Sequence, residues 1–191
     1  MSGKKKFCLM EGTNDREIIE RIRNGDESAF EEIYERLKLP LYKFCLRMIS
    51  DEETAFDIVH DVFLKFYERL NTIDQISSVS SLLFKIARNK CLNYLRDKKE
   101  KVKIEETEII SEDNLERKID LNENTKRLQR ILNLLDEDYR EILILREWNN
   151  LSYNEIAEIT GLTVPAVKSK LFKARKKLVE IFKKYYGDDI K

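Results

Sequence analysis

The residues of this 191-residue chain best suited to chemistry are cations that helices could present to phosphate. In LSYNEIAEITGLTVPAVKSKLFKARKKL, residues 151–178, the second half carries Lys168, Ser169, Phe172, Lys173, Arg175 and Lys176. At about 100° per residue, Ser169, Phe172, Lys173 and Lys176 point away from an apolar line of Val167, Leu171, Ala174 and Leu178. Lys168 and Arg175 flank that line. Lysines hold backbone phosphates, while a serine, an aromatic ring and a well-placed lysine can reach base edges in a major groove. The preceding residues form a turn at Gly161, with small Ala157 four residues earlier, where a following helix must cross closely. That is the helix-turn-helix pattern. A solvated, lysine-rich surface helix is the competing reading, and it leaves the turn, the small residue and the one-sided charge as coincidences.

A second candidate is VSSLLFKIARNKCLNYLRDKK, read as a helix from Val79 to about Lys99. Leu83, Ile86, Ala87, Cys91 and Tyr94 make one face, and Lys85, Arg88, Arg96 and Lys99 gather on the opposite one. Such a stripe can follow a nucleic-acid backbone, although a plain solvated face fits as well. The polar loop before it, residues 71–78 with Asp74 and Ser77, could receive an unstacked base. Charge is segregated accordingly. Thr163–Lys184 holds eight Lys/Arg against Glu180, and Lys85–Lys103 holds eight against Asp97 and Glu100. Between them, Ile104–Asn124 holds eight acidic residues and two basic ones. The overall balance, 36 Lys/Arg and 36 Asp/Glu, hides two basic segments separated by an acidic one.

Little else could react. There is one histidine, His60, so a histidine-rich metal site or a His-based triad has almost nothing to work with. His60 fits a polar contact better than a titrating switch. The three cysteines, Cys8, Cys45 and Cys91, are scattered without a CxxC spacing and suit packing in a reducing compartment. No cofactor, metal or small-molecule substrate is expected, and no catalysis. No run of about 18 uncharged apolar residues exists to span a membrane, and MSGKKKFCLMEGTNDRE is a poor signal peptide.

The elements that must position these residues are helices. Charged residues make up 38% of the chain, against about 25% in an average globular protein. Five glycines and two prolines are too few for the turns of a sandwich or barrel. The caps divide the chain. Asn14 to Glu17 reads as a capping box for a short helix ending at Gly25. Asp26 opens a helix with Ala29, Phe30, Ile33, Tyr34 and Leu37 on one face, and Pro40 is expected to break it. Asp51 caps a helix with Phe56, Val59, Phe63, Phe66 and Leu70 as its apolar set. Further on, Leu128, Ile131, Leu132 and Leu135 form an amphipathic helix. Asp136 should cap EDYREILILREW, with Trp148 at a core or domain edge, and Asn149-Asn150 should turn. Ser152 and Glu155 form a capping box, and Thr163 caps the last helix with Pro165 in its first turn. The expected architecture is all-α: a tail over 1–13, a helical domain over 14–99, an acidic linker over 100–124, a helix-turn-helix domain over 125–184 and a tail over 185–191.

Four segments, in order, resemble bacterial RNA polymerase sigma factors of the extracytoplasmic-function (ECF) type. GDESAFEEIYERL is similar to the opening helix of their region 2, and AFDIVHDVFLKFYERL to their core-polymerase-binding segment. SLLFKIARNKCLNYLRDKK resembles the helix that melts and reads the −10 element, and residues 134–178 resemble region 4, which reads the −35 element. The resemblance covers about residues 25–99 and 125–182. It implies that Asp57, His60 and Asp61 dock on core RNA polymerase, an acidic helix face meeting a basic coiled coil. It implies −10 contacts around Arg88, Asn89 and Asn93, joined by Lys85, Arg96, Asp74 and Ser77. It places −35 contacts at Lys168, Ser169, Phe172, Lys173, Arg175 and Lys176. The implied partners are core RNA polymerase, promoter DNA and an anti-sigma factor. The implied location is the cytoplasm, at the nucleoid in action, with sequestration at the membrane when the anti-sigma factor is membrane-bound. Several residues depart from the family pattern: Tyr67 and Leu82 replace frequent Trp, Asp136 a usual Pro, Asn150 a usual Gly, and Lys170 and Lys173 common Arg. Lysine lacks the bidentate fork of arginine, which weakens guanine readout at 173. The alternative is a stand-alone helix-turn-helix regulator that binds duplex DNA without polymerase; it has no need of the 25–99 block.

Overall fold

The computed structural model describes residues 15–70, 78–105 and 123–187, and every regular element among them is helical. α1 (Asp15–Arg23), α2 (Glu27–Ile49), α3 (Glu52–Arg69) and α4 (Val79–Glu105) build the first half. α5 (Glu123–Asn133), α6 (Glu137–Leu143), a π-helical turn (Ile144–Trp148), α7 (Tyr153–Thr160) and α8 (Val164–Tyr186) build the second.

Most of the sequence punctuation acts as expected. Gly25 at φ 85° follows α1, where a left-handed residue suits glycine. The Asp26 carboxylate accepts from the N–H groups of Ser28 and Ala29, and Asp51 accepts from Thr54. Ser152 and Glu155 form a reciprocal capping box on α7, and Thr163 caps α8. Each supplies an acceptor to an amide that the helix itself leaves unpaired. Asn150 adopts φ 53°, the left-handed conformation that asparagine tolerates next best to glycine.

Five expectations need correction. Pro40 does not break its helix; α2 runs on through it. Proline removes one helical hydrogen bond, but Leu37 and Leu41 on either side are fully buried, and that packing holds the helix together. Phe56 is not a core residue but is 66% exposed, while Val59, Phe63, Phe66 and Leu70 are buried as expected. Asp136 stands at the N-cap of α6 without a side-chain capping hydrogen bond. The run EDYREILILREW is not one α-helix: its second half widens into the π turn, where the Asn149 N–H reaches the Ile144 carbonyl. α4 also continues beyond Lys99, to Glu105.

The first half is knitted by aromatic rings. Phe30 of α2 stacks on Phe66 of α3 at 6.4 Å and meets Phe63 edge-on at 6.3 Å. Phe44 of α2 meets Phe84 of α4 edge-on at 5.6 Å, and both are fully buried. Paired rings of this kind add a directional preference to the burial of apolar area. In the second half α8 packs along α5, α6 and α7 through Val167, Leu171, Ala174 and Ile181. The halves also meet. α4 lies along α7, and α2 contacts α5, α6 and the π turn.

Candidate nucleic-acid interface

The helix-turn-helix forms as its spacing demands. Gly161, at φ 74°, closes α7 by giving its N–H to the Ala157 carbonyl. α8 then crosses over buried Ile156 and Ile159 with Val167, Leu171 and Ala174 inward. Ser169, Phe172, Lys173 and Lys176 are consequently exposed on one side, and Phe172 is 71% accessible. An exposed aromatic ring between cations can stack on or wedge against bases. The other two predicted residues are held back. Lys168 lies over the Tyr153 ring at 5.4 Å, with Arg146 also over that ring at 4.7 Å. Arg175 donates to Glu147 Oε1 through Nε at 3.0 Å and Nη2 at 2.5 Å. Lys170, not among the predicted contacts, pairs with Asp138 at 2.7 Å.

On α4 the predicted basic stripe splits. Lys85, Asn89, Asn93 and Arg96 are exposed together at spacings of four, four and three residues. Arg88 and Lys99 sit about 40–80° around the helix from Lys85 and Arg96, enough to face a different neighbour. Arg88 donates to the Glu141 carboxylate of α6 through Nε, and again through Nη2 at 3.3 Å. Lys99 pairs with Glu137 at 2.6 Å. The Glu141 side chain is 3% exposed, and burial raises its pKa above the ordinary glutamate value while Arg88 pulls it back.

The N-terminus of α4 is fixed by α1. Asp15 Oδ2 accepts from the Val79 N–H at 2.8 Å, and Arg23 Nε donates to the Leu70 carbonyl at 2.8 Å. One short helix thus ties down the chain on both sides of the 71–77 segment. Asp74 and Ser77 themselves lie outside the described residues.

The third predicted group lies on α3. Asp57 and His60 are exposed. Asp61 pairs with Lys90 of α4 at 2.6 Å, and that ammonium holds its carboxyl below the ordinary aspartate value. Sequence reasoning missed the company these residues keep. Phe56, Leu64 and Tyr67 are 66%, 51% and 60% exposed and share the surface with His60 at spacings of four, four and three. Apolar side chains lined up in water beside carboxylates make a docking stripe. Periodicity says which residues share a face and not which face is covered, so it gives Phe56 as a core residue and does not single out Leu64. Arg140 was also missed. This buried guanidinium donates to the carbonyls of Leu132 at 2.9 Å, Asn133 at 3.1 Å and Leu135 at 3.2 Å, and across to Met48 at 2.8 Å. It satisfies the converging C-termini of α5 and α2 at once, where a cation suits the helix dipoles.

Comparison with known proteins places these faces in context. Residues 33–101 match the sigma-70 region 2 family, and residues 125–178 match sigma-70, region 4. The ECF RNA polymerase sigma-E factor of Haemophilus influenzae is 30% identical over 179 residues, covering 87% of this chain and 94% of that protein. The ECF RNA polymerase sigma factor SigM of Bacillus subtilis is 29% identical over 163 residues, covering 84% and 99%. Among solved structures, the sigma factor RpoE of Bartonella quintana, crystallised with the anti-sigma factor NepR, superposes with a TM-score of 0.67 at 25% identity, over 81% of this chain and 96% of that one. CnrH, solved with the cytosolic domain of CnrY, shares the fold at a TM-score of 0.71, 23% identity and coverage of 90% and 98%.

Proposed function

The chain belongs to the ECF RNA polymerase sigma factors of the sigma-70 family, and on that premise we propose that it binds core RNA polymerase and directs promoter-specific initiation by reading −10 and −35 elements. The single observation that carries the reading of its DNA contacts is the α8 face, where Ser169, Phe172, Lys173 and Lys176 stand exposed on the second helix of a helix-turn-helix. We assign the −35 element to these four, with Lys168 and Arg175 released from Tyr153 and Glu147 when phosphates compete for them.

The −10 element falls to α4 through Lys85, Asn89, Asn93 and Arg96, with Arg88 once it is free of Glu141, and with Asp74 and Ser77 in the stretch of sequence before it. Core polymerase docks on α3, where Asp57, His60 and Asp61 border Phe56, Leu64 and Tyr67: apolar side chains supply area and carboxylates supply orientation. The working units are the first half, through the end of α4 at Glu105, and the second half, from Glu123, joined by the acidic stretch between them. Two weak modules on one tether bind a two-part promoter more tightly than either alone. The chain contributes binding and no catalysis. It acts in the cytoplasm and takes an anti-sigma factor as a partner; the Bartonella quintana sigma factor RpoE was solved in complex with one. Among the described residues no helix is long and apolar enough to cross a membrane.

The test adds the purified chain to sigma-free core RNA polymerase and fragmented genomic DNA, then sequences the 5′ ends of the transcripts. Discrete starts preceded by two shared motifs support the reading. Sequence-selective duplex binding by the chain alone, with no gain in initiation, would contradict it and favour a stand-alone regulator.

A further inference from the structure

We propose that the acidic start of α6 is an internal phosphate mimic, which holds the second half of the free chain against the first and occupies cations of both DNA-reading helices. Three carboxylates on this short helix each take a cation from a helix assigned to DNA. Glu141 holds Arg88 of α4, Glu137 holds Lys99 of α4 at 2.6 Å, and Asp138 holds Lys170 of α8 at 2.7 Å. The same three carboxylates line one wall of the surface between the halves. A cavity of about 140 Å³ bounded by Arg88, Asp138, Glu141 and Lys170 marks where the two reading helices and α6 converge.

The pairing is buried at its centre and exposed at its edges. Arg88 and Glu141 are 20% and 3% accessible, so separating the halves unmasks a desolvated pair. Lys99–Glu137 and Lys170–Asp138 are open to water and are weakened by salt. Contacts that use no carboxylate hold the same surface. Arg140 reaches the Met48 carbonyl at 2.8 Å, and Gln129 Nε2 reaches the Arg47 carbonyl at 3.0 Å and Ser50 Oγ at 2.9 Å. Asn149 Nδ2 reaches the Pro40 carbonyl at 3.3 Å, and the Arg47 guanidinium lies over Trp148 at 5.4 Å. All of these donors and acceptors can turn to water when the halves part, so closure is reversible. A promoter offers Arg88 the same kind of partner that Glu141 gives it, and DNA bound in the open form competes with α6 directly.

The inference rests on α4 being the −10 reader, and the experiment separates the two claims. In the full chain with Cys8→Ser, labels at Glu31→Cys on α2 and Glu180→Cys on α8 report the distance between halves by double electron–electron resonance. The otherwise unaltered chain should give one narrow distribution. Glu137→Lys with Glu141→Gln should broaden and lengthen it, and should raise polymerase-free binding of a single-stranded −10 oligonucleotide, taken from the mapped promoters, by about five- to tenfold. Glu137→Lys alone, a change at a partly exposed site, should act in the same direction if the double variant is poorly folded. A broad distribution before any α6 substitution would overturn the closure. Opening with no gain in oligonucleotide binding would support the closure and overturn the −10 assignment to α4.

Discussion

α4 and α8 are both lysine-rich helices with an apolar inner face, yet their cations are in different situations. On α8 the outward residues Ser169, Phe172, Lys173 and Lys176 face water, and the ion pairs of the helix lie to its flanks, with Asp138 and Glu147 of its own half. On α4 Lys85, Asn89, Asn93 and Arg96 face water without a partner in the other half, while Arg88 and Lys99 pair with carboxylates of that half. The difference teaches that a basic stripe is not yet a binding surface. Whether its charge is available depends on what the rest of the chain lays against it.

The comparison can be broken or sharpened by substitution. The largest effect is expected at Arg140, which joins the C-termini of α2 and α5. Arg140→Ala leaves four carbonyls short of a donor and should cost about 3 kcal/mol in thermal or urea unfolding. Phe56→Glu, on the α3 stripe, should weaken binding to core polymerase about thirtyfold, or about 2 kcal/mol, in a fluorescence titration. Its melting temperature should stay close to the original, since the side chain is exposed. That separates docking from reading.

Lys173→Ala should lower initiation about tenfold on promoters that keep a −35 element, in run-off transcription. Core binding should be unchanged, and loss of core binding would sink the assignment. Asn93→Ala should reduce discrimination between matched and mismatched −10 sequences about fivefold in the same assay, and only with polymerase present. The smallest effect is expected at Asn150→Gly, at φ 53°, which should stay within about 0.5 kcal/mol of the original chain in unfolding.

How far the sequence carried this account can be read from individual residues. Ser152, Glu155, Gly161 and Thr163 announced the helix-turn-helix because capping and left-handed turns are local events that need no distant partner. The outward set on α8 followed, since its inner face is covered by the adjacent α7. Pro40 misled because the local cost of proline was outweighed by packing around Leu37 and Leu41, contributed by elements far along the chain. Phe56 misled because a helix that docks on another protein carries apolar residues at core-like spacing. Arg88 misled most instructively. Periodicity placed it with Lys85 and Arg96, and it could not foresee that Glu141, 53 residues later, would come to lie beside it. Arg140 gave no signal beyond one charge among several in a short helix, because its function is to meet a carbonyl 92 positions away.

The most direct test of the division of labour is site-specific photocrosslinking on one mapped promoter, with a photoreactive residue at Phe172 on α8 or at Asn93 on α4. The account predicts that in the polymerase complex position 172 crosslinks to the −35 element and position 93 to the −10 element. Without polymerase, 172 still reaches duplex DNA and 93 is weak. Crosslinking of both positions to the same element, or equal crosslinking of position 93 with and without polymerase, would contradict it.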